Sequence, residues 1–141
     1  MKKKIVITGG LGYIGTEICK LYSGFSWYHN ITVIDNRFIS ERVNQLRSWN
    51  IEFIHGDILD KEMVDKYFKD ADVVHHLAGV TDVPRTKSEA TKFKDEKIKS
   101  VGVEGTQNIL DAISDKCKII FPSTHVVYEG IDEVKTEILE E

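Results

Sequence analysis

Short runs of aliphatic and β-branched residues alternate along the chain with longer stretches whose apolar positions recur every three or four residues. Ile5-Val-Ile7 is an apolar run of strand length, and it breaks into glycines at Gly9, Gly12 and Gly15. Ile14, Ile18, Leu21 and Tyr22 then recur at helical spacing, which predicts a helix over about Gly12 to Tyr22, ended by Ser23-Gly24. Ile31-Thr-Val-Ile-Asp35 reads as a second strand. A helix follows from Ser40, a good N-cap, through Val43, Leu46 and Trp49. Ile51-Glu-Phe-Ile-His55 reads as a third strand, and Asp60 is placed to cap a helix carrying Met63, Val64, Tyr67 and Phe68. Asp72-Val-Val-His-His-Leu77 reads as a fourth strand. A polar loop from Thr81 to about Ser88 leads into one long helical stretch over Ala90 to Ile113, locally weakened by Gly102 and Gly105. Lys118-Ile-Ile-Phe121 reads as a fifth strand, and the last twenty residues are acidic and weakly patterned.

Five strands alternating with helices call for an α/β fold, a parallel sheet covered on both faces. Right-handed crossovers give a doubly wound, Rossmann-type sheet with strand order 3-2-1-4-5. A receiver-type signalling domain shares this alternation but needs acids directly after the first strand, where this chain has Thr8-Gly9-Gly10.

The glycines add chemistry. In a G-x-x-G-x-x-G spacing between strand and helix, the first glycine allows a tight turn and the second lets a pyrophosphate approach the backbone. The third lets the helix pack close, and the helix N-terminus offers N–H groups and a positive dipole end to an anion. Asp35 stands twenty residues beyond Gly15, at the end of the second strand. A carboxylate there can accept hydrogen bonds from an adenosine ribose and repel a 2′-phosphate, which favours NAD over NADP. Arg37 works against that preference, because a nearby guanidinium accommodates the phosphate.

The totals narrow the function classes. A net charge of −4 without a basic stripe gives no footprint for nucleic acid. No run approaches the length of a membrane span, and no signal-peptide pattern opens the chain, so the expectation is a cytoplasmic protein. Cys19 and Cys117 fall within apolar patterns and read as reduced core thiols. His75 and His76 are adjacent and face opposite sides of a strand, and no His or Cys pair has zinc spacing, so no metal site is expected. Phe25, Trp27 and Tyr28 read as packing rather than as a stacking platform.

Six motifs in order carry a family resemblance: Thr8-Gly-Gly-Leu-Gly-Tyr-Ile-Gly15, Val33-Ile-Asp35-Asn36, Gly56-Asp57-Ile58, His76-Leu-Ala-Gly79, Val103-Glu-Gly-Thr106 and Phe121-Pro-Ser-Thr124 leading to Val127-Tyr128. Together they resemble the N-terminal part of an extended short-chain dehydrogenase/reductase of the NAD-dependent, nucleotide-sugar epimerase/dehydratase family. The resemblance implies that Gly9, Gly12, Tyr13, Ile14 and Gly15 meet the pyrophosphate, and that Asp35, Asn36 and Arg37 surround the ribose. It implies that Asp57 and Ile58 meet adenine, that Leu77, Ala78 and Gly79 line the pyrophosphate and nicotinamide side, and that Ser123 supports Thr124. Thr124 aligns with the family's catalytic Ser or Thr, whose hydroxyl holds the reacting sugar oxygen beside a stronger acid or base.

The family's Tyr-x-x-x-Lys acid/base pair is absent, since Tyr67 and Tyr128 are followed four residues later by Ala71 and Asp132. Val134-Lys-Thr-Glu137 resembles the loop that precedes that tyrosine. Residues 1–141 therefore read as an NAD(P)-binding domain truncated after the fifth strand, with the C-terminal substrate domain absent and a nucleotide-sugar substrate expected of the full-length protein. Gly102 stands where the family has Asn, and Thr81 stands near a cofactor-contacting Lys of some members. Two readings stay open: the cofactor half of an epimerase or dehydratase, and a dinucleotide-binding module without catalysis or a truncated remnant. An open sheet edge after the fifth strand leaves room for a homodimer.

Overall fold

A computed structural model describes residues 1–80 and 92–123. Thr81, Thr124, His125 and the acidic C-terminal stretch lie outside the described residues. Among the described residues, five parallel strands form one sheet: β1 (Lys4–Thr8), β2 (Asn30–Asp35), β3 (Glu52–His55), β4 (Val73–His76) and β5 (Lys118–Ile120). The order is β3-β2-β1-β4-β5, as the alternation predicts. In register, Thr8 stands beside Ile34 on one neighbour and His76 on the other, so three strand ends meet at the first glycine. The helices are α1 (Tyr13–Ser23), α2 (Ser40–Ser48), α3 (Lys61–Phe68), α4 (Lys92–Lys99) and α5 (Thr106–Ala112), with a π-helical turn over Ser100–Gly105 joining the last two.

Strand alternation sorts the core into two layers. Ile5, Ile7, Ile31 and Val33 face Cys19 of α1 and Val43 and Leu46 of α2. Val6, Ile34 and Val74 face Val64 and Phe68 of α3 and Ile109 of α5. Burial of an apolar strand on both faces is why β1 and β2 read as near-continuous aliphatic runs.

The structure corrects several details. In α1 the buried positions are Gly15 and Cys19, flanked by half-buried Ile18 and Tyr22, whereas Ile14 and Leu21 are 60% and 75% exposed. Helical spacing identified a stripe but placed its centre one residue off. Ser40 does not cap α2; Ile39 occupies the N-cap and makes no side-chain cap bond. Asp60 does cap α3, its carboxylate accepting the Met63 N–H at 3.1 Å. The single long helix is three segments, because the backbone widens into a π turn around Gly102 and Gly105. Phe25, Trp27 and Tyr28 are exposed rather than packed. Cys19 is a core thiol, pushed up to about 12 by burial, while Cys117 is only half-buried. Among the described residues, no helix is long and apolar enough to cross a membrane.

Candidate functional site

The carboxyl ends of the strands open into a cleft of about 730 Å³, within the range of small-molecule sites. Its floor is the turn after β1. Gly9 has φ +65°, donates its N–H to the Ile34 carbonyl at 2.8 Å and accepts the Gly12 N–H at 3.0 Å. A Cβ on Gly9 would lie 2.8 Å from the Ala78 nitrogen and the Leu77 carbonyl, so the left-handed turn is also the point where the end of β4 approaches most closely. A Cβ on Gly15 would sit 2.5 Å from the Gly9 carbonyl oxygen and Gly10 Cα. The close packing that this glycine permits is therefore against the turn itself rather than against the strand. Gly12 differs, since its missing Cβ would meet only the Gly9 carbonyl at 3.2 Å and Arg37 Nη2 at 3.9 Å. It leaves a backbone cradle on the cleft side, at the N-cap of a helix that no side chain caps. The first-turn N–H groups and the dipole end are thus available to an anion.

Asp35 closes one wall. It is 5% exposed, and its Oδ2 accepts the Leu11 N–H at 3.0 Å, which ties the second strand to the glycine turn. Oδ1 accepts from the Arg37 backbone N–H at 3.0 Å and from Arg37 Nε at 3.2 Å. Asp57 accepts Asn36 Nδ2 on one oxygen (3.2 Å) and the Leu59 N–H on the other (3.0 Å). Ile58 is buried under Gly105, and its carbonyl accepts Asn108 Nδ2 at 3.0 Å. Arg42, on α2, donates to the Leu11 carbonyl and lies 5.8 Å from the centre of the Tyr13 ring, steadying the turn from outside.

The opposite wall is held by a hydrogen-bonded relay. Thr106 Oγ1 donates to the Gly102 carbonyl at 2.7 Å and so accepts from His76 Nε2 at 2.9 Å. His76 is then the Nε2–H tautomer, and its Nδ1 accepts the Thr8 hydroxyl at 2.9 Å. Thr8 Oγ1 in turn accepts the Leu77 and Ala78 N–H groups at 3.1 and 3.0 Å. Burial lowers the His76 pKa, which keeps the ring neutral as this arrangement requires. His75 points to the other face, toward the Tyr22 hydroxyl at 2.8 Å, and burial lowers its pKa as well.

Of the sequence-predicted cofactor residues, Gly9, Gly12, Tyr13, Ile14, Gly15, Asp35, Asn36, Arg37, Asp57, Ile58, Leu77, Ala78 and Gly79 all line this one cleft. Ser123 is exposed and does not line it; Pro122 does. The sequence reading missed Val80, Lys97 and Val101 on the lining, and Thr8, Arg42, His76 and Thr106 in support. Thr8 and Thr106 stand inside quoted motifs, but their link through His76 spans 68 and 30 residues and leaves no local signal.

The sequence matches the 3-beta hydroxysteroid dehydrogenase/isomerase family over residues 6–138. A UDP-N-acetyl-alpha-D-glucosaminuronate decarboxylase of Bacillus cytotoxicus is 34% identical over 130 residues, covering 91% of this chain and 38% of its own. The CDP-paratose 2-epimerase of Salmonella typhi is 33% identical, covering 94% and 40%. The chain thus spans about two fifths of the length of these curated relatives. A UDP-glucuronic acid 4-epimerase of Bacillus cereus, solved with NAD and UDP-4-deoxy-4-fluoro-glucuronic acid, superposes with a TM-score of 0.71 at 25% identity, over 96% of this chain and 45% of that one. By family match, motif order and sheet topology, this chain belongs to the 3-beta hydroxysteroid dehydrogenase/isomerase family and shares the Rossmann fold of short-chain-dehydrogenase-type epimerases.

Proposed function

We propose that this chain is the NAD-binding portion of a nucleotide-sugar epimerase or dehydratase, residues 1–141 forming an NAD(P)-binding domain whose substrate domain belongs to a longer protein. The observation that carries the reading is convergence. An open glycine cradle, an uncapped helix start and a buried carboxylate at the end of the adjacent strand share one cleft. The fit is chemical as well as spatial, because the cradle offers N–H donors to a pyrophosphate and Asp35 offers acceptors to a ribose diol. Bound there, NAD would supply transient oxidation of the sugar by taking a hydride and giving it back.

The residues divide the work by position. Gly9, Gly12, Tyr13, Ile14 and Gly15 hold the pyrophosphate, Asp35 and Asn36 the ribose, and Asp57 and Ile58 the adenine. Leu77, Ala78 and Gly79, fixed by Thr8 and His76, shape the nicotinamide side. By resemblance, Thr124 holds the reacting sugar oxygen, with Ser123 beside it. His125 and Val126 follow that threonine where the family's dehydratases place acids, which tilts the chemistry toward epimerisation.

A second reading is a dinucleotide-binding module without turnover, and on either reading the nucleotide pocket is the same. Replacing Asp35→Ala weakens NADH more than NADPH, with losses differing by about tenfold, or about 1.4 kcal/mol. Parallel fluorescence titrations with the two dinucleotides measure this. Equal losses remove Asp35 as the ribose discriminator.

A further inference from the structure

We propose that the amino ends of β1, β2 and β3 form a second anion site, apart from the dinucleotide cleft, which takes a small molecule bearing two or more phosphate groups. A cavity of about 680 Å³ opens there, at the end of the sheet opposite the cleft. Lys4 opens β1 and Thr8 closes it, so about 13 Å of strand separates the two openings.

Cations from three stretches of chain converge on this cavity. Lys2 and Lys4 come from the start of β1, Arg47 from the last turn of α2 and Lys66 from the last turn of α3. Lys4 shares the alternation of Val6 and so faces the side that α3 covers, where Lys66 Nζ lies 5.0 Å from the centre of the Tyr67 ring. Arg47 is brought in by the way α2 ends. Asn50 takes φ +56°, and Asn50 and Ile51 donate their N–H groups to the carbonyls of Arg47 and Leu46, both at 3.0 Å. This Schellman-type turn occupies two of the last helical carbonyls, so fewer bare acceptors stand beside the cavity. His29 accepts the Lys3 N–H on Nδ1 at 3.4 Å, which leaves its Nε2–H as a further donor.

The balance of charge points to an anion. The chain carries a net charge of −4, yet this cavity is lined by four cations against one carboxylate, Glu52. Glu52 accepts the Thr32 hydroxyl at 2.9 Å, and among the described residues none of the four cations stands within ion-pair distance of an acid. Like charges gathered without counter-charges repel one another, and a bound anion relieves that repulsion. A monocarboxylate would answer only one of them. Arg47 and Lys66 belong to helices on opposite faces of the sheet, which suits a ligand with linked phosphate groups, its oxygens meeting the Arg47 fork at one end and lysine point charges at the other.

The test is titration of the isotope-labelled chain with inorganic pyrophosphate at constant ionic strength, followed by amide chemical shifts in two dimensions. It is run with saturating NADH and again in Gly12→Val, so that the glycine cradle is filled in one case and blocked in the other. Saturable shifts at His29, Asn30 and Asn50, with a dissociation constant in the millimolar range or tighter, are expected in both, and orthophosphate should bind more weakly. Arg47 and Lys66 are exposed, so Arg47→Gln and Lys66→Gln should leave the fold intact, which a thermal melt checks. Each should weaken pyrophosphate by about threefold, the scale of one exposed charge contact, and Glu52→Gln should tighten it by a similar factor. Shifts that grow without saturating, shifts confined to Gly9–Gly15, or a dissociation constant that none of the three substitutions moves would overturn the proposal. Each of these outcomes leaves the dinucleotide reading standing.

Discussion

His76 has both ring nitrogens committed, one to the Thr8 hydroxyl and one to Thr106. A proton added at Nδ1 would turn an acceptor into a second donor facing a hydroxyl that already accepts the Leu77 and Ala78 N–H groups. Burial lowers the folded-state pKa of both His76 and His75 below the ordinary histidine value of about 6.5. The unfolded chain then binds more protons than the folded one as pH drops past that value. Stability is complete above about pH 6.5 and is lost as pH falls toward the folded-state values. The urea midpoint is accordingly expected to be level between pH 8 and 7, to fall by pH 5.5, and to fall less steeply in His76→Asn. A flat profile would contradict the neutral relay. At this scale the sequence was legible only where partners are near neighbours. The Gly9–Gly12–Gly15 spacing announces its turn, whereas the Thr8–His76–Thr106 relay joins three distant strand and helix ends.

Among the elements, the π turn over Ser100–Gly105 carries the sharpest contrast. It places Val101 on the cleft and the Gly102 carbonyl under Thr106, and π turns often sit at functional sites. Its two glycines do opposite things. A Cβ on Gly102 would meet nothing within 4 Å, so Gly102→Ala should stabilise the chain by up to about 1 kcal/mol. A Cβ on Gly105 would lie 2.5 Å from Ile58 Cδ1 and 2.7 Å from Cγ1, so Gly105→Ala should cost about 1–3 kcal/mol and disturb the Ile58 wall. Chemical denaturation of the two variants separates them, and equal effects would refute the packing account. Sequence periodicity over 90–113 could not reveal this, because a stripe of apolar residues reads the same whether a helix is continuous or widened by one turn. Ser40 misled for a related reason: the residue type favours a cap, but the first helical turn begins one position earlier.

At the scale of the molecule, the strand order follows from alternation and crossover rules that need only the order of elements, which is why the sheet was readable before the structure. What the sheet accomplishes is positional. Parallel strands bring the ends of β1, β2, β3 and β4 to one edge, so that Gly12, Asp35, Asp57 and Ala78 face a single cleft although 66 residues separate the first from the last. The aromatics Phe25, Trp27 and Tyr28 read as packing in the sequence yet are exposed, since apolar composition alone does not say which side chains a neighbour covers. The central claim, that this cleft holds a dinucleotide, is tested most directly by calorimetric titration of the chain with NADH. The account predicts saturable one-to-one binding, a melting temperature that rises with ligand concentration, and loss of both in Gly12→Val, whose side chain would fill the cradle. A folded wild-type chain that shows no saturable heat with NADH would contradict it.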